Sequence, residues 1–381
     1  MRINTIIQSF YPVTGGAETH VYEINKELVR RGHDVTVHTL AVTIDGKRLP
    51  LYDEIEGIKI RRYKPIISFG QQHIFMNFWV PKINDCDIID LQGYPSLVND
   101  YICFKYKKNA IVFTPHGGLF NAPPKFTVSS MFKIYNKFLG FRTLKRIDTV
   151  IAQTEGEKKR YKAMGIEKVI VGPSGLHDMV FEKYNAENIK SKYGLTKYMF
   201  FLGRMFYEKG PCNLVKVFVL IKDKFKDVSL VFAGPDAGEV AKVKKLAKEF
   251  GIEDRVIYAG RVSEKEKYEL FAGCEFFVLP SMFEAQGIVF IEAFAQGKPV
   301  IGTRVGGVPW VVEDNVTGLL VDYGDIKGLA EKMEYLLENP EICKKMGAKG
   351  KEVAWQKYRW KNIIDRIEAL YQELVDKRAT G

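Results

Sequence analysis

Short apolar runs of extended character alternate with stretches of helical spacing along almost all of this 381-residue chain, and that alternation restricts the fold more than any other feature. Residues 2–9 read as a strand and residues 11–16 as a turn. From Ala17 onward Val21, Ile24, Leu28 and Val29 recur at helical spacing until Gly32, and residues 34–40 form the next strand. This is a βαβ unit with a glycine pair, Gly15 and Gly16, at its first turn. Further strands are predicted at 58–62, 88–91, 110–114, 149–153 and 166–171. A polar stretch, 181–197, precedes a second series at 199–202, 229–233, 256–258, 276–279, 300–302 and 318–321. Helical spacing lies between them near 210–224, 238–250, 263–272, 292–295 and 329–338. The pattern predicts two doubly wound α/β domains with mostly parallel sheets rather than one larger sheet. They are placed at residues 1–180 and 181–359. Residues 360–381 form a final helix with Ile363, Ile364, Ile367, Leu370, Tyr371 and Leu374 on one face, which caps either domain or crosses back to the first.

Composition narrows the class further. A hydrophobic fraction of 46% and a charged fraction of 27% suit a soluble globular protein. No run of about 18 apolar residues suggests a spanning helix, and the first residues are too short an apolar run for a signal peptide, so a cytoplasmic location is expected. The five cysteines, Cys86, Cys103, Cys212, Cys274 and Cys343, have no paired-thiol spacing for zinc or redox chemistry. The glycine pair at 15–16 lacks the three-glycine dinucleotide fingerprint, so it does not imply a nicotinamide cofactor.

Chemistry concentrates in the second half. In residues 281–299 Glu284 stands in a strand-to-helix loop and Glu292 further along the helix that follows, beyond the carboxyl end of an apolar strand, where parallel α/β sheets bind ligands. Gly287 permits close backbone approach. Glu292 sits among Phe290, Ile291, Ala293 and Phe294, where an unpaired carboxylate is costly, so a polar partner is expected. In the loop after the first strand of this half, residues 203–210 carry Arg204 and Lys209. A chelating guanidinium and a point charge beside a helix start suit a diphosphate, although a solvated basic loop would have the same composition.

Taken together, Glu284 and Glu292 with seven residues between them, Gly203-Arg204 followed by Lys209-Gly210, the turn at Gly15-Gly16, and the glycine-rich residues 302–307 before Asn315 to Gly318 resemble the retaining glycosyltransferases of family 4, from the first strand to about residue 360. The resemblance implies a GT-B architecture, two Rossmann-like domains facing a central cleft, with the acceptor on the N-terminal domain and a nucleotide-activated sugar on the C-terminal one. It implies that Arg204 and Lys209 neutralise the donor diphosphate without a metal, that Glu292 holds the ribose, and that Glu284 stands near the sugar with the amides of Gly287, Ile288 and Val289. Arg261 and Val262 fall where the base is held, and residues 114–118 match a histidine loop that brings His116 to the donor sugar. Two departures are present: Gln286 stands where an aromatic is common, and residues 173–177 carry Ser174 and His177 where Asn and Asp are usual.

The implied reaction moves a sugar, with retention, from a UDP- or GDP-sugar to a hydroxyl acceptor by front-face attack, with the nucleotide sugar as co-substrate and no other cofactor. A sugar-nucleotide epimerase, a phosphorylase or a non-catalytic sugar-nucleotide-binding protein could share the architecture. The net charge of +11 bears on the acceptor, because residues 101–147 hold nine basic side chains, no acidic one and ten Phe or Tyr. A helix presenting Met131, Ile134, Tyr135, Phe138 and Phe141 opposite Lys133, Lys137 and Lys145 suits either a solvated amphipathic face or an anionic membrane surface. On the second reading the protein is peripheral at the inner membrane face and its acceptor is a lipid-linked molecule or a glycan. No motif for nucleic acid accompanies the basic segment.

Overall fold

The computed structural model describes residues 1–13, 15–43, 46–67, 77–94, 96–116, 135 and 139–380, which fall into two compact units, Met1–Ser174 with Trp360–Gly381 and Gly175–Arg359. Each is built on its own sheet.

Among the described residues the first unit has eight strands, β1 (Arg2–Ile6), β2 (Asp34–Leu40), β3 (Tyr52–Ile55), β4 (Ile58–Tyr63), β5 (Ile88–Gln92), β6 (Ala110–Thr114), β7 (Thr149–Ala152) and β8 (Val169–Val171), in the order β3-β4-β2-β1-β5-β6-β7-β8. All pairings are parallel except β3 with β4. Strands β5 and β6 are buried at every residue, as central strands covered on both faces must be. The order reverses between β1 and β5, and the carboxyl ends of the strands there are the natural place for a ligand. The β3 strand was not predicted. Its sequence, Tyr-Asp-Glu-Ile, is largely exposed, and it is held by a tight turn in which Glu56 and Gly57 both take positive φ, 50° and 78°.

The terminal helix, Trp360–Ala379, packs in this unit. Ile363, Ile364, Ile367, Leu370, Tyr371 and Leu374 join Val21, Ile24 and Leu28 of the first helix, Gly16–Arg30, in one buried cluster with Ile3, Ile88 and Val112. Arg31, at the end of the first helix, reaches Asp365 at 2.7 Å and Glu368 at 2.6 Å. The helix's apolar face is thus a working part of the core, and the charged edge fixes its register.

The second unit has six strands, β9 (Lys197–Leu202), β10 (Val228–Ala233), β11 (Val256–Gly260), β12 (Phe277–Leu279), β13 (Val300–Thr303) and β14 (Gly318–Val321), all parallel, in the order β11-β10-β9-β12-β13-β14. The reversal here lies between β9 and β12. Beneath it Phe200, Phe271, Phe277 and Phe290 meet ring to ring, with centroids 5.0–6.1 Å apart, a spacing that suits edge-on aromatic packing. An 18-residue helix, Pro340–Lys357, was not predicted from sequence. Its two internal glycines look like breakers, yet a Cβ at Gly347 would stand 1.9 Å from the Gly297 carbonyl oxygen, and one at Gly350 2.6 Å from the Phe294 ring. They let this helix press against the helix Ile288–Ala295. Among the described residues, no helix is long and apolar enough to cross a membrane.

Candidate functional site

The loops bearing the predicted cations and the first predicted acid leave the carboxyl ends of β9 and β12, the neighbouring strands at which the second sheet reverses its order. After β9 the chain is tied to the end of β10: the Gly203 amide donates to the Ala233 carbonyl at 3.0 Å and the Met205 amide to that of Pro235 at 2.8 Å. Met205 is fully buried, which turns Arg204 outward, with its guanidinium 5.8 Å from the Phe206 ring. One 3-10 turn, Tyr207–Lys209, then leads to Gly210 and the helix Pro211–Ile221. Gly210 takes φ +72°, and a Cβ there would stand 2.6 Å from the Pro280 carbonyl oxygen.

That close approach joins the two loops. The Met282 amide donates to the Glu208 carbonyl at 2.7 Å, and Lys209 Nζ lies 2.6 Å from Glu284 Oε1 with the two side chains 21% and 13% exposed. The end of β13 and the loop after it support them: the Thr303 hydroxyl donates to the Ser281 carbonyl at 2.6 Å, and the Gly307 amide to that of Glu284 at 2.8 Å. Gly306, at φ +52°, leaves no room for a side chain, since a Cβ would fall 2.1 Å from the Glu284 carbonyl oxygen. The glycine-rich residues 302–307 therefore position Glu284.

The helix that follows begins at Ile288, with Gly287 as a left-handed cap at φ +82°, so that Glu292 lies about one turn into it. The amides of Ile288 and Val289 open it, where N–H groups lack intrahelical acceptors. Gln286 is buried beside them. Glu292, 7% exposed, has the polar partner that its apolar setting demands: Oε1 is 2.7 Å from Lys267 Nζ and 3.3 Å from the Tyr268 hydroxyl. Lys267 also meets Glu264 at 2.8 Å. Desolvation works against the lysine's charge, but Glu292, Tyr268 and Glu264 outweigh it and its pKa is raised. Lys267 was missed in the sequence. Its one signal is the capping box Ser263–Glu266, which fixes the start of the helix Glu264–Gly273 and so the turn that carries it. Just before this helix, Arg261 is exposed while Val262 packs on the core.

In the first unit, Gly15 and Gly16 lie exposed at the start of the helix Gly16–Arg30, in the loop after β1. The Glu18 carboxyl folds back over Gly15. Burial raises its pKa, against the opposing effect of hydrogen bonds from its own amide and from Ser9. His116 follows β6 at φ +52°, a conformation uncommon for a side-chain-bearing residue. Its Nε2 lies 2.7 Å from Gln92 Oε1 and its Nδ1 3.0 Å from Gln153 Nε2. An amide oxygen only accepts and an amide nitrogen only donates, so the ring carries its proton on Nε2. Burial pushes its pKa down to about 4, which leaves it neutral at pH 7. The network continues inward, where Gln92 donates to Asp90 Oδ2 at 2.7 Å and the Tyr371 hydroxyl on the terminal helix is directed at the same carboxyl. Burial raises Asp90 to about 7. His20, edge-on to His116 at 5.2 Å, is also held neutral by desolvation. Gly117, Gly118 and most of the basic segment, including Phe120, Lys125, Phe126, Met131, Phe132, Lys133, Ile134, Lys137 and Phe138, lie outside the described residues.

Within the second unit the structure thus brings Arg204, Lys209 and Glu284 to one strand-end site and pairs Glu292 with Lys267 on the adjoining helices. Two cations beside a carboxylate can bind a diphosphate and stabilise the charge left on it when a bond to its oxygen breaks. The chain also has relatives among known proteins. Residues 14–178 match the model of Glycosyltransferase Family 4, and residues 183–353 match that of Glycosyl transferases group 1. N-acetyl-alpha-D-glucosaminyl L-malate synthase from Bacillus anthracis is 25% identical over 384 residues, 97% of each chain. Among solved structures, sucrose-phosphate synthase from Thermosynechococcus elongatus superposes with a TM-score of 0.79 at 19% identity, covering 99% of both chains. HepE from Anabaena, in complex with UDP and glucose, superposes with a TM-score of 0.71 at 19% identity, covering 98% of this chain and all of the other.

Proposed function

Because the chain is a retaining glycosyltransferase of family 4 with the GT-B fold, drawing on a nucleotide-sugar donor, we propose that the donor's diphosphate binds Arg204 and Lys209 where the second sheet reverses. The observation that carries this reading is the bonding of the β9 and β12 loops to each other, with Lys209 on Glu284 at 2.6 Å. Arg204 is exposed and free to swing onto phosphate oxygens as a fork, while Lys209 supplies a point charge. Glu284 stands toward the sugar with the amides of Gly287, Ile288 and Val289. Glu292 accepts from the ribose, and Arg261 and Val262 border the base. His116, neutral and with both ring nitrogens bonded, contributes shape and backbone placement to the sugar side rather than a proton.

The donor is a UDP- or GDP-sugar. HepE carries UDP in its crystal, which makes UDP-sugars the first to try. The acceptor hydroxyl attacks the anomeric carbon from the face that the leaving group departs. The bond from that carbon to the β-phosphate oxygen breaks with its electron pair going to the phosphate, the new carbon–oxygen bond forms, and the hydroxyl proton passes to the departing phosphate. Because two protein cations receive that charge, turnover persists in the presence of a metal chelator.

The acceptor is a glycan or a lipid-linked molecule, and the enzyme associates with an anionic membrane surface through residues 101–147, whose nine basic and no acidic side chains support that reading. The function is tested by acceptor-dependent release of nucleoside diphosphate from a panel of UDP-, GDP- and ADP-sugars. Arg204→Ala and Lys209→Ala should each lower kcat by about 100-fold or more. Unchanged turnover in both variants would remove the leaving-group assignment, and donor conversion without any acceptor would favour an epimerase.

A further inference from the structure

Glu292 occupies a helix position flanked by Phe290, Ile291, Ala293 and Phe294, all fully buried, where a lone carboxylate would be costly. Among the described residues only one of its two oxygens is engaged. Oε1 receives the Lys267 ammonium at 2.7 Å and the Tyr268 hydroxyl at 3.3 Å, while among the described residues no protein donor meets Oε2. Lys267 is itself restrained from two further directions, by Glu264 at 2.8 Å and by the Tyr268 ring at 4.5 Å from its centroid. The Glu264 side chain is 75% exposed, so its pull is screened, whereas Lys267 and Glu292 face each other at 14% and 10% exposure. The ammonium therefore belongs chiefly to Glu292. It leaves a carboxylate of fixed orientation with one oxygen spare, and an acceptor-only group of that kind suits a hydroxyl that must donate.

We propose that Lys267 is a positioning residue for donor selection: by occupying Oε1 of Glu292 it presents Oε2 to a ribose hydroxyl, and so makes the enzyme prefer ribonucleotide over deoxyribonucleotide donors. This rests on Glu292 being the ribose acid. The lysine touches no substrate atom in this scheme. Without it the carboxyl would be free to turn toward water, and Oε2 would no longer be held toward the hydroxyl.

The test is titration calorimetry on the full chain with UDP, GDP and their 2′-deoxy counterparts. The wild type should bind the better nucleoside diphosphate about tenfold or more tightly than its deoxy form, the loss expected when a hydrogen bond to a charged group goes unmade. Glu292→Gln and Lys267→Met should each bring the two affinities to within about threefold by weakening only the ribonucleotide. Lys267→Arg, which restores the cation, should keep the preference. Lys267→Gln carries the same expectation as Lys267→Met and replaces it should that variant not fold. A purely structural role would weaken both ligands alike and leave their ratio unmoved. If Glu292→Gln collapses the preference and the neutral Lys267 variants retain it, the inference about Lys267 fails alone. If the wild type shows no preference, or Glu292→Gln leaves it intact, the ribose reading fails and the inference with it.

Discussion

Placing alanine at Gly306 tests whether the loop after β13 sets the position of Glu284. Gly306 has φ +52°, and an L-residue held there costs about 1–2 kcal/mol. The added methyl would lie 2.1 Å from the Glu284 carbonyl oxygen, more than an ångström inside the 3.4–4 Å of ordinary contact. A backbone carbonyl cannot swing aside as a side chain does. Relief requires moving residue 284 itself, together with the bond from the Gly307 amide at 2.8 Å and the Lys209 contact at 2.6 Å. A displacement near 1 Å at a reacting centre is worth about 100-fold in rate. Gly306→Ala should therefore lower kcat/KM for the donor by about that factor, with a fall in Tm of several degrees from the combined strain and overpacking. Gly324→Ala is the matched control: it has φ +87° but nothing within 4 Å of the new methyl, so it bears the conformational cost without the push. Initial rates for both, measured well below their melting temperatures, separate the effects. Retention of kcat/KM within about twofold in Gly306→Ala would refute the argument that this loop fixes Glu284.

Other perturbations probe different parts of the molecule. Asp90 is buried with its pKa raised to about 7. It binds a proton in the folded state that the unfolded chain releases near pH 4, so its contribution to stability is full at acidic pH and is lost as pH rises from about 4 to 7. Asp90→Asn, which can still accept from Gln92, should flatten the denaturation midpoint across that window and be stabilised relative to wild type by up to a few kcal/mol at pH 7.5; an unchanged difference between the two proteins at pH 4.5 and 7.5 would contradict it. Tyr198→Phe removes a buried hydroxyl that donates to the Leu270 carbonyl at 2.8 Å, and urea unfolding should report a loss of about 1 kcal/mol. For the basic segment, sedimentation with anionic vesicles should show binding at low salt that is lost on neutralising Lys133, Lys137, Arg142 and Lys145; no binding at low salt would sink the membrane reading.

Both sheets were legible in the sequence because their central strands are unbroken apolar runs between helical spacings, as at residues 110–114 and 199–202. Strand β3 was not, since its partner interaction and a left-handed turn, rather than alternation, make it a strand. The helix Pro340–Lys357 was hidden for a related reason: Gly347 and Gly350 are dictated by the close approach of another helix, which local spacing does not reveal. At the site, the apolar company of Glu292 announced that a partner must exist, but Lys267 stands 25 residues away in the chain and only the packing of two helices joins them. The hydrogen bonds that occupy both nitrogens of His116 come from Gln92 and Gln153, on β5 and beyond β7, and no spacing rule connects those three residues.

The central claim is that Arg204 and Lys209 hold the donor's diphosphate. Calorimetric affinities for UDP and UMP, in the wild type and in Arg204→Ala/Lys209→Ala, test it without an acceptor. The wild type should favour the diphosphate by about tenfold or more, because the second phosphate meets two charge-assisted donors. The double variant should bind both nucleotides with the affinity of UMP. An undiminished preference for UDP in the double variant would contradict the account.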